Sequence, residues 1–283
     1  MADVETGRAG SVALVSLARP PVNALGANLR RELFAAIDTF DADPAVTAIV
    51  LHGRGRGFSA GGDIHEFGTP NAAAWPGLSS DLHPRIEACR KPVIAAIHGL
   101  CLGGGLETAL VCHWRVAARE ARVGLPEVRV GVLPLSGTQR LPRLLGLVEA
   151  AHMISEALIV PAAAMPAAFD LLVDEDDETA LLEAAKALAA SLPAGATAGR
   201  LVRDWPAPVA GHEAVVSARD QGSDPIVRCA LDAVLAAAEA SDFDAGIARA
   251  RALYDALLQS EESLARQRRF ADQRGSHART ENP

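Results

Sequence analysis

The chain has 283 residues, of which 49% are apolar and only 4% aromatic, and a formal net charge of −8. That length suits one large domain or a core with an appendage. The acidic balance argues against a nucleic-acid binder, which needs a basic patch to replace phosphate counterions. Cys89, Cys101, Cys112 and Cys229 show no C-x-x-C spacing, so buried, reduced thiols are expected rather than disulfides or a metal site. The N-terminus, MADVETGRAG, lacks a basic segment followed by an apolar core and does not read as a signal peptide. No apolar run approaches the ~18 residues of a membrane span. These features predict a soluble, cytoplasmic protein.

Taken in chain order, residues 11–17 (SVALVSL) read as a strand, 19–25 as a turn and 29–40 as a helix. Residues 45–52 (AVTAIVLH) are β-branched and bounded by Pro44 and Gly53, which predicts a second strand. Residues 69–77 are loop-like. A helix over 82–90 runs into Lys91-Pro92, where the pre-proline restriction ends it. Residues 92–98 (PVIAAIH) form a third, buried strand; a helix begins at 106–111, and 114–118 and Val123 mark further short strands.

Beyond Gly137 the strand signals nearly vanish. Helices are expected over 141–147, 148–156, 162–169 and 178–192, then a Pro- and Gly-rich linker over 193–224. Residues 226–240 and 243–270 are strongly helical, and 275–283 read as a frayed tail. The reading is two domains, a core over 1–195 and a C-terminal helical region over 196–283.

Two glycine turns and two carboxylates carry the chemical interest. Gly103-Gly104-Gly105 lies between a strand and a helix, where glycine permits positive φ and close approach of a ligand to the backbone. The first N–H groups of the helix lack internal partners and favour a developing negative charge. Gly61-Gly62 can do the same. Taken one at a time, both stretches read more simply as plain tight turns, with glycine present only for geometry. Glu107 and Glu127 are candidate proton carriers, and each also fits a first-turn acid at a helix start. Asp63 suits a helix cap for residues 64–67 better than an acid–base role.

Other chemistries lack their residues. There is no G-x-S-x-G elbow, no phosphate-binding Gly-Lys-Ser/Thr loop and no H-E-x-x-H or comparable histidine spacing. Gly99 through Gly105 misses the G-x-G-x-x-G spacing of a dinucleotide site.

In combination these segments resemble the crotonase (enoyl-CoA hydratase/isomerase) superfamily. The resemblance rests on NAL at 23–25, GFSAGGDI at 57–64, KPVIAAIHG at 91–99 followed by GGGLE at 103–107, Pro126-Glu127, and GTQRLPR at 137–143; it covers residues 10 to about 175. It implies an α/β fold, a crotonase-like ββα spiral core with a C-terminal all-helical region. It also implies an acyl-CoA thioester substrate, with coenzyme A part of that substrate and no separate cofactor.

By position, the resemblance makes the N–H groups of Gly62 and Gly104 the oxyanion hole and Glu107 and Glu127 the catalytic pair. Ala60, Gly61, Asp63, Ile64 and Leu135 would line the substrate path. A carboxylate at both positions resembles the hydratases; an isomerase reading uses Glu127 alone. A homotrimer or dimer of trimers is the family habit. Residues 243–274 resemble the linker helix after the hydratase half of multifunctional β-oxidation enzymes, which implies that half standing alone. The Pro134–Arg140 segment (residues 134–140, PLSGTQR) is one residue shorter than the usual family loop, with Leu135 where glycine is common, and Glu156 stands where many members carry glycine.

Overall fold

The computed structural model describes residues 2–66, 68–174, 177–193 and 195–280. In chain order the elements are β1 (Val4–Ala9), β2 (Val12–Leu17), α1 (Ala27–Ala42), β3 (Ala48–Gly53), α2 (His83–Glu87), β4 (Val93–Ile97), β5 (Leu100–Leu102), α3 (Gly104–Leu110), β6 (Trp114–Ala118) and β7 (Arg122–Gly124). There follow α4 (Glu127–Val130), α5 (Gly137–Leu145), α6 (Leu147–Ser155), β8 (Ile159–Pro161), β9 (Leu171–Val173), α7 (Glu178–Ser191), α8 (His212–Gln221), α9 (Pro225–Glu239), α10 (Phe243–Leu258) and α11 (Glu261–Thr280). They make two compact units, residues 1–124 with 159–205, and 125–158 with 206–283. The expected division near residue 195 is a single cut along the sequence, whereas these units interleave along it.

The first unit is built on two sheets. One has six strands in the order β1-β2-β3-β4-β6-β9, and the other has three, β5-β7-β8. From β2 onward the large sheet is parallel. Strand β4 passes through His98 and Gly99 into β5 and then α3, and β6 passes likewise into β7. Strands β5 and β7 pair in parallel. Each step is therefore a ββα unit that sends one strand to each sheet, as the α/β spiral expectation requires. Strand β3 (AIVLHG) is buried throughout, which explains its unbroken apolar run. Helix α7 covers one face of the large sheet, placing Leu181, Ala185 and Ala189 on Val12, Ala48, Val50, Ile94, Ala96 and Val116. Alanine at two of those three contacts lets the helix sit close to the strands.

Several expectations need correction. Strand β1 was not foreseen, because VETGRA has no apolar alternation; it is an exposed edge strand paired antiparallel with β2, and its charges protect that edge. Residues 162–169 are not one helix but two 3-10 turns, Ala162–Ala164 and Pro166–Ala168, because Pro166 cannot donate within a continuing helix. Short strands β8 and β9 flank them; at three residues each they are too brief to show a period.

The second unit is all-helical. Helix α9 is its centre, with Ile226, Ala230, Leu231, Ala233, Val234, Leu235, Ala236 and Ala237 buried. Asp224 caps it by accepting from the Ile226 N–H at 2.9 Å, with Pro225 at the first helical position. The expected linker contains helix α8, whose burial is confined to Val215; so weak an apolar stripe, between Gly211 and Gly222, does not announce a helix. The expected long helix over 243–270 is two, α10 and α11, with Gln259 and Ser260 between them. Helix α11 runs to Thr280, so residues 275–280 are helical rather than frayed, and 281–283 lie outside the described residues. It packs on α4, α9 and α10 of its own unit. Among the described residues no helix is long and apolar enough to cross a membrane.

Candidate active site

In the first unit, hydrogen bonds from the 19–25 turn build the site. Asn23 takes φ +52, a conformation asparagine tolerates better than most residues. Its side-chain amide donates to Arg54 O at 3.0 Å and Gly57 O at 2.9 Å, while its carbonyl accepts from Ser59 Oγ at 2.7 Å. The Gly61 N–H donates to Ser59 Oγ at 3.1 Å, the Ala60 N–H to Val22 O at 2.9 Å, and the Leu25 N–H to Gly61 O at 2.8 Å. The NAL turn is thus a template on which the first glycine turn is laid.

The second glycine turn is zipped to the first. The Ser59 N–H donates to Leu100 O at 3.0 Å, and the Leu102 N–H returns to Ser59 O at 2.9 Å. Gly103 has φ +54 and ψ −131, a combination open essentially to glycine. A Cβ on Gly105 would lie 2.4 Å from Ser59 O. A Cβ on Gly61 would lie 3.1 Å from the Gly104 nitrogen, and one on Gly104 would lie 3.6 Å from the Gly62 nitrogen. Glycine is therefore present for close approach as well as for turn geometry. The two turns meet with the Gly62 and Gly104 nitrogens at one junction. Gly62 is exposed and Gly104 buried, so the junction is reached from the Gly62 side. Leu78 and Leu25 wall it at Gly104.

Glu107 stands in the first turn of α3, 4% exposed, with its own N–H donating to Gly103 O at 2.9 Å. All seven residues of α3 are buried. Thr108 Oγ1 donates to Gly104 O at 2.7 Å and meets His83 Nε2 at 3.1 Å, so α2 braces the same turn. Asp63 is 6% exposed and fully engaged in bracing: Arg19 Nη2 donates to it at 2.6 Å and the His65 N–H at 3.0 Å. Burial works to raise its carboxyl, but the Arg19 guanidinium and the His65 N–H hold it below the usual carboxylate range. It caps the 3-10 turn Ile64–Glu66, as expected; residue 67 lies outside the described residues. Ala60 and Ile64 are half-buried beside it.

One brace escaped the sequence reading. Arg30, 5% exposed, donates to Pro76 O at 2.8 Å, Leu25 O at 2.9 Å, Asn71 O at 3.0 Å and Ala74 O at 3.1 Å. It secures the segment between Gly62 and Leu78. The available signal was an arginine three residues before Leu33, on the apolar face of α1.

Glu127 and Leu135 belong to the second unit. Glu127 opens the single turn of α4, half-buried, after Pro126. Gly131 ends that turn in the left-handed region at φ +94. Leu135 is 6% exposed, and its carbonyl accepts from Thr138 Oγ1 at 2.9 Å. Among the described residues no group of three His, Cys, Asp or Glu is placed to hold a metal ion.

The enoyl-CoA hydratase/isomerase family pattern matches residues 7–168, more than half of the chain. The chain belongs to the enoyl-CoA hydratase/isomerase family. A probable enoyl-CoA hydratase of Bacillus subtilis is 42% identical over 187 residues, covering 63% of this chain and 71% of that protein. The human peroxisomal bifunctional enzyme is 34% identical over 93% of this chain, which spans only 37% of that enzyme's length. Among solved structures, carnitinyl-CoA hydratase from Mycobacterium avium superposes with a TM-score of 0.69 at 25% identity, over 96% of this chain and 97% of that one. The crotonase-type α/β fold read from the sequence is the fold found.

Proposed function

We propose that the protein is an enoyl-CoA hydratase, adding water across a 2-enoyl-CoA to give a 3-hydroxyacyl-CoA. The observation that carries this is the junction of the two glycine turns, with Glu107 one helical turn away on the same short helix. The Gly62 and Gly104 N–H groups would hold the thioester oxygen as it gains enolate charge, which backbone donors stabilise without reorganising. Glu107 would accept a proton from the water that attacks the β-carbon. By the position of Pro126-Glu127 in the family pattern, Glu127 would deliver a proton to the α-carbon. The hydroxyl then resides on the β-carbon, and both groups are restored when Glu107 gives up its proton to solvent and Glu127 takes one from it. The backbone of residues 60–64 and Leu135 would line the path of the acyl-CoA.

The reading extends to a cytoplasmic homotrimer or dimer of trimers with isomerase chemistry as a side activity. The free cysteines support a reducing compartment, and light scattering measures the assembly. The test of the function is loss of enoyl-thioester absorbance with crotonyl-CoA and a longer 2-enoyl-CoA. Glu107→Gln and Glu127→Gln should each lower the rate by about 10²–10⁴-fold. Wild-type rates in both variants would overturn the mechanism. Turnover of 3-enoyl but not 2-enoyl thioesters would make the protein an isomerase, and acyl-CoA binding without turnover a non-catalytic homologue.

A further inference from the structure

The turn that carries Glu127 is held by more than its own bonds. Helix α4 is four residues long, and one helical turn is unstable without outside contacts. Its internal bonds run from the Arg129 N–H to Pro126 O at 3.0 Å, from the Gly131 N–H to Val128 O at 3.3 Å and also to Glu127 O, and from the Val132 N–H to Glu127 O at 3.2 Å, and they span a single turn. Its outward carbonyls are taken by α11. Arg266 Nη1 donates to Val128 O at 3.1 Å, and Ser263 Oγ donates to Gly131 O at 2.6 Å.

Those two donors are themselves fixed. Arg266 Nη2 bonds Asp224 Oδ2 at 2.8 Å, and Asp224 is the cap of α9. Gln267 Nε2 donates to Ser263 Oγ at 2.9 Å, leaving the serine proton for Gly131. Ser263 is fully buried. At Gly131 a Cβ would lie 2.8 Å from Ser263 O and 3.0 Å from Arg266 Cβ, so the turn rests directly on the α11 backbone. Partners 132 and 138 residues apart in sequence thus converge on one turn.

We propose that Ser263 and Arg266, with Asp224 behind them, are positioning residues that set the orientation of Glu127. The catalytic part of this proposal rests on the hydratase reading; the anchoring part does not. A guanidinium spanning Asp224 and Val128 O joins two fixed points through one planar fork. Lysine offers a single point charge in its place and cannot hold both at the same geometry.

The test uses the full chain with Arg266→Met, Arg266→Lys and Ser263→Ala, each checked for native circular dichroism. Two readouts are taken, kcat and KM for crotonyl-CoA and hydrogen exchange of the amides of residues 127–132. Arg266→Met should lower kcat by about 10–100-fold, the cost of a displacement near 1 Å in a reacting group, with KM within about twofold by the same argument. It should also speed exchange at 128–132. Arg266→Lys should recover part of both effects, and Ser263→Ala should show the same pattern more weakly. Unchanged exchange in Arg266→Met and Ser263→Ala would overturn the anchoring, whatever the activity. Faster exchange with unchanged kcat would overturn the catalytic role. A wild-type protein inactive on every 2-enoyl thioester would refute the hydratase reading and with it the catalytic role, while the exchange data would still decide the anchoring.

Discussion

Replacing Gly105 by alanine puts a methyl group 2.4 Å from Ser59 O and 2.9 Å from Ser59 Cβ. Gly105 lies within α3 and is not among the positive-φ glycines, so the conflict is steric and not a matter of backbone strain. Ordinary carbon contacts lie near 3.5 Å, so the two glycine turns must part by about 1 Å. Neither side yields easily, because Ser59 is held by backbone bonds to Leu100 and Leu102 and by its hydroxyl to Asn23 O. Overpacking of this kind costs about 1–3 kcal/mol. If the proposed role of the Gly62 and Gly104 N–H groups holds, a displacement near 1 Å between them should cost about 10²-fold in rate. Gly55→Ala is the control: it has φ +74 with nothing within 4 Å of an added Cβ. It should cost about 1–2 kcal/mol of backbone strain and leave turnover unchanged. Urea denaturation gives the stabilities, and crotonyl-CoA hydration under folding conditions gives the rates. Gly105→Ala with wild-type stability and rate would refute the reasoning, as would equal rate losses in both variants.

Arg30→Met removes a donor from four carbonyls between residues 25 and 76, of which Asn71 O keeps the Ala74 N–H. At about 1–3 kcal/mol for each carbonyl left buried without a donor, even one or two should be evident in denaturation, together with faster proteolysis between residues 64 and 77; a wild-type profile in both would show that the segment holds itself. His113 is fully buried and accepts from the Val93 N–H at Nδ1, 3.1 Å away, and burial pushes its imidazole from 6.5 down to about 4. Between those values the unfolded chain binds the proton and the native one does not, so stability is fully present above about 6.5 and is lost as pH falls towards 4. The loss is on the order of 3 kcal/mol. His113→Gln should flatten the slope of stability against pH over that window, and an unchanged slope would assign it to other groups.

Much of the glycine-turn geometry was legible in sequence because it is backbone geometry. Gly61, Gly103 and Gly105 stand where no side chain fits or where φ is positive, and such positions write glycine into the chain. Strands β3 and β4 were legible because a strand covered on both faces becomes an apolar run. Other elements were not. Strand β1 carries no period because it is an edge, and β8 and β9 are too short to show one. Helix α8 buries too little to leave a stripe, and the alanine run at 162–168 imitates a helix until Pro166 divides it.

By itself the sequence determined the two glycine turns and the motifs that carry the family resemblance, since these depend on local geometry and nearby residues, and the ββα order came through that resemblance. The tertiary structure alone decided what holds those parts in place. The Arg30 clamp, the Asn23 template under residues 57–61 and the anchoring of the Glu127 turn by Ser263 and Arg266 join residues far apart in the chain. A polar side chain carries no mark in sequence of which distant carbonyl it will satisfy, because that partner exists only once packing has excluded water from both.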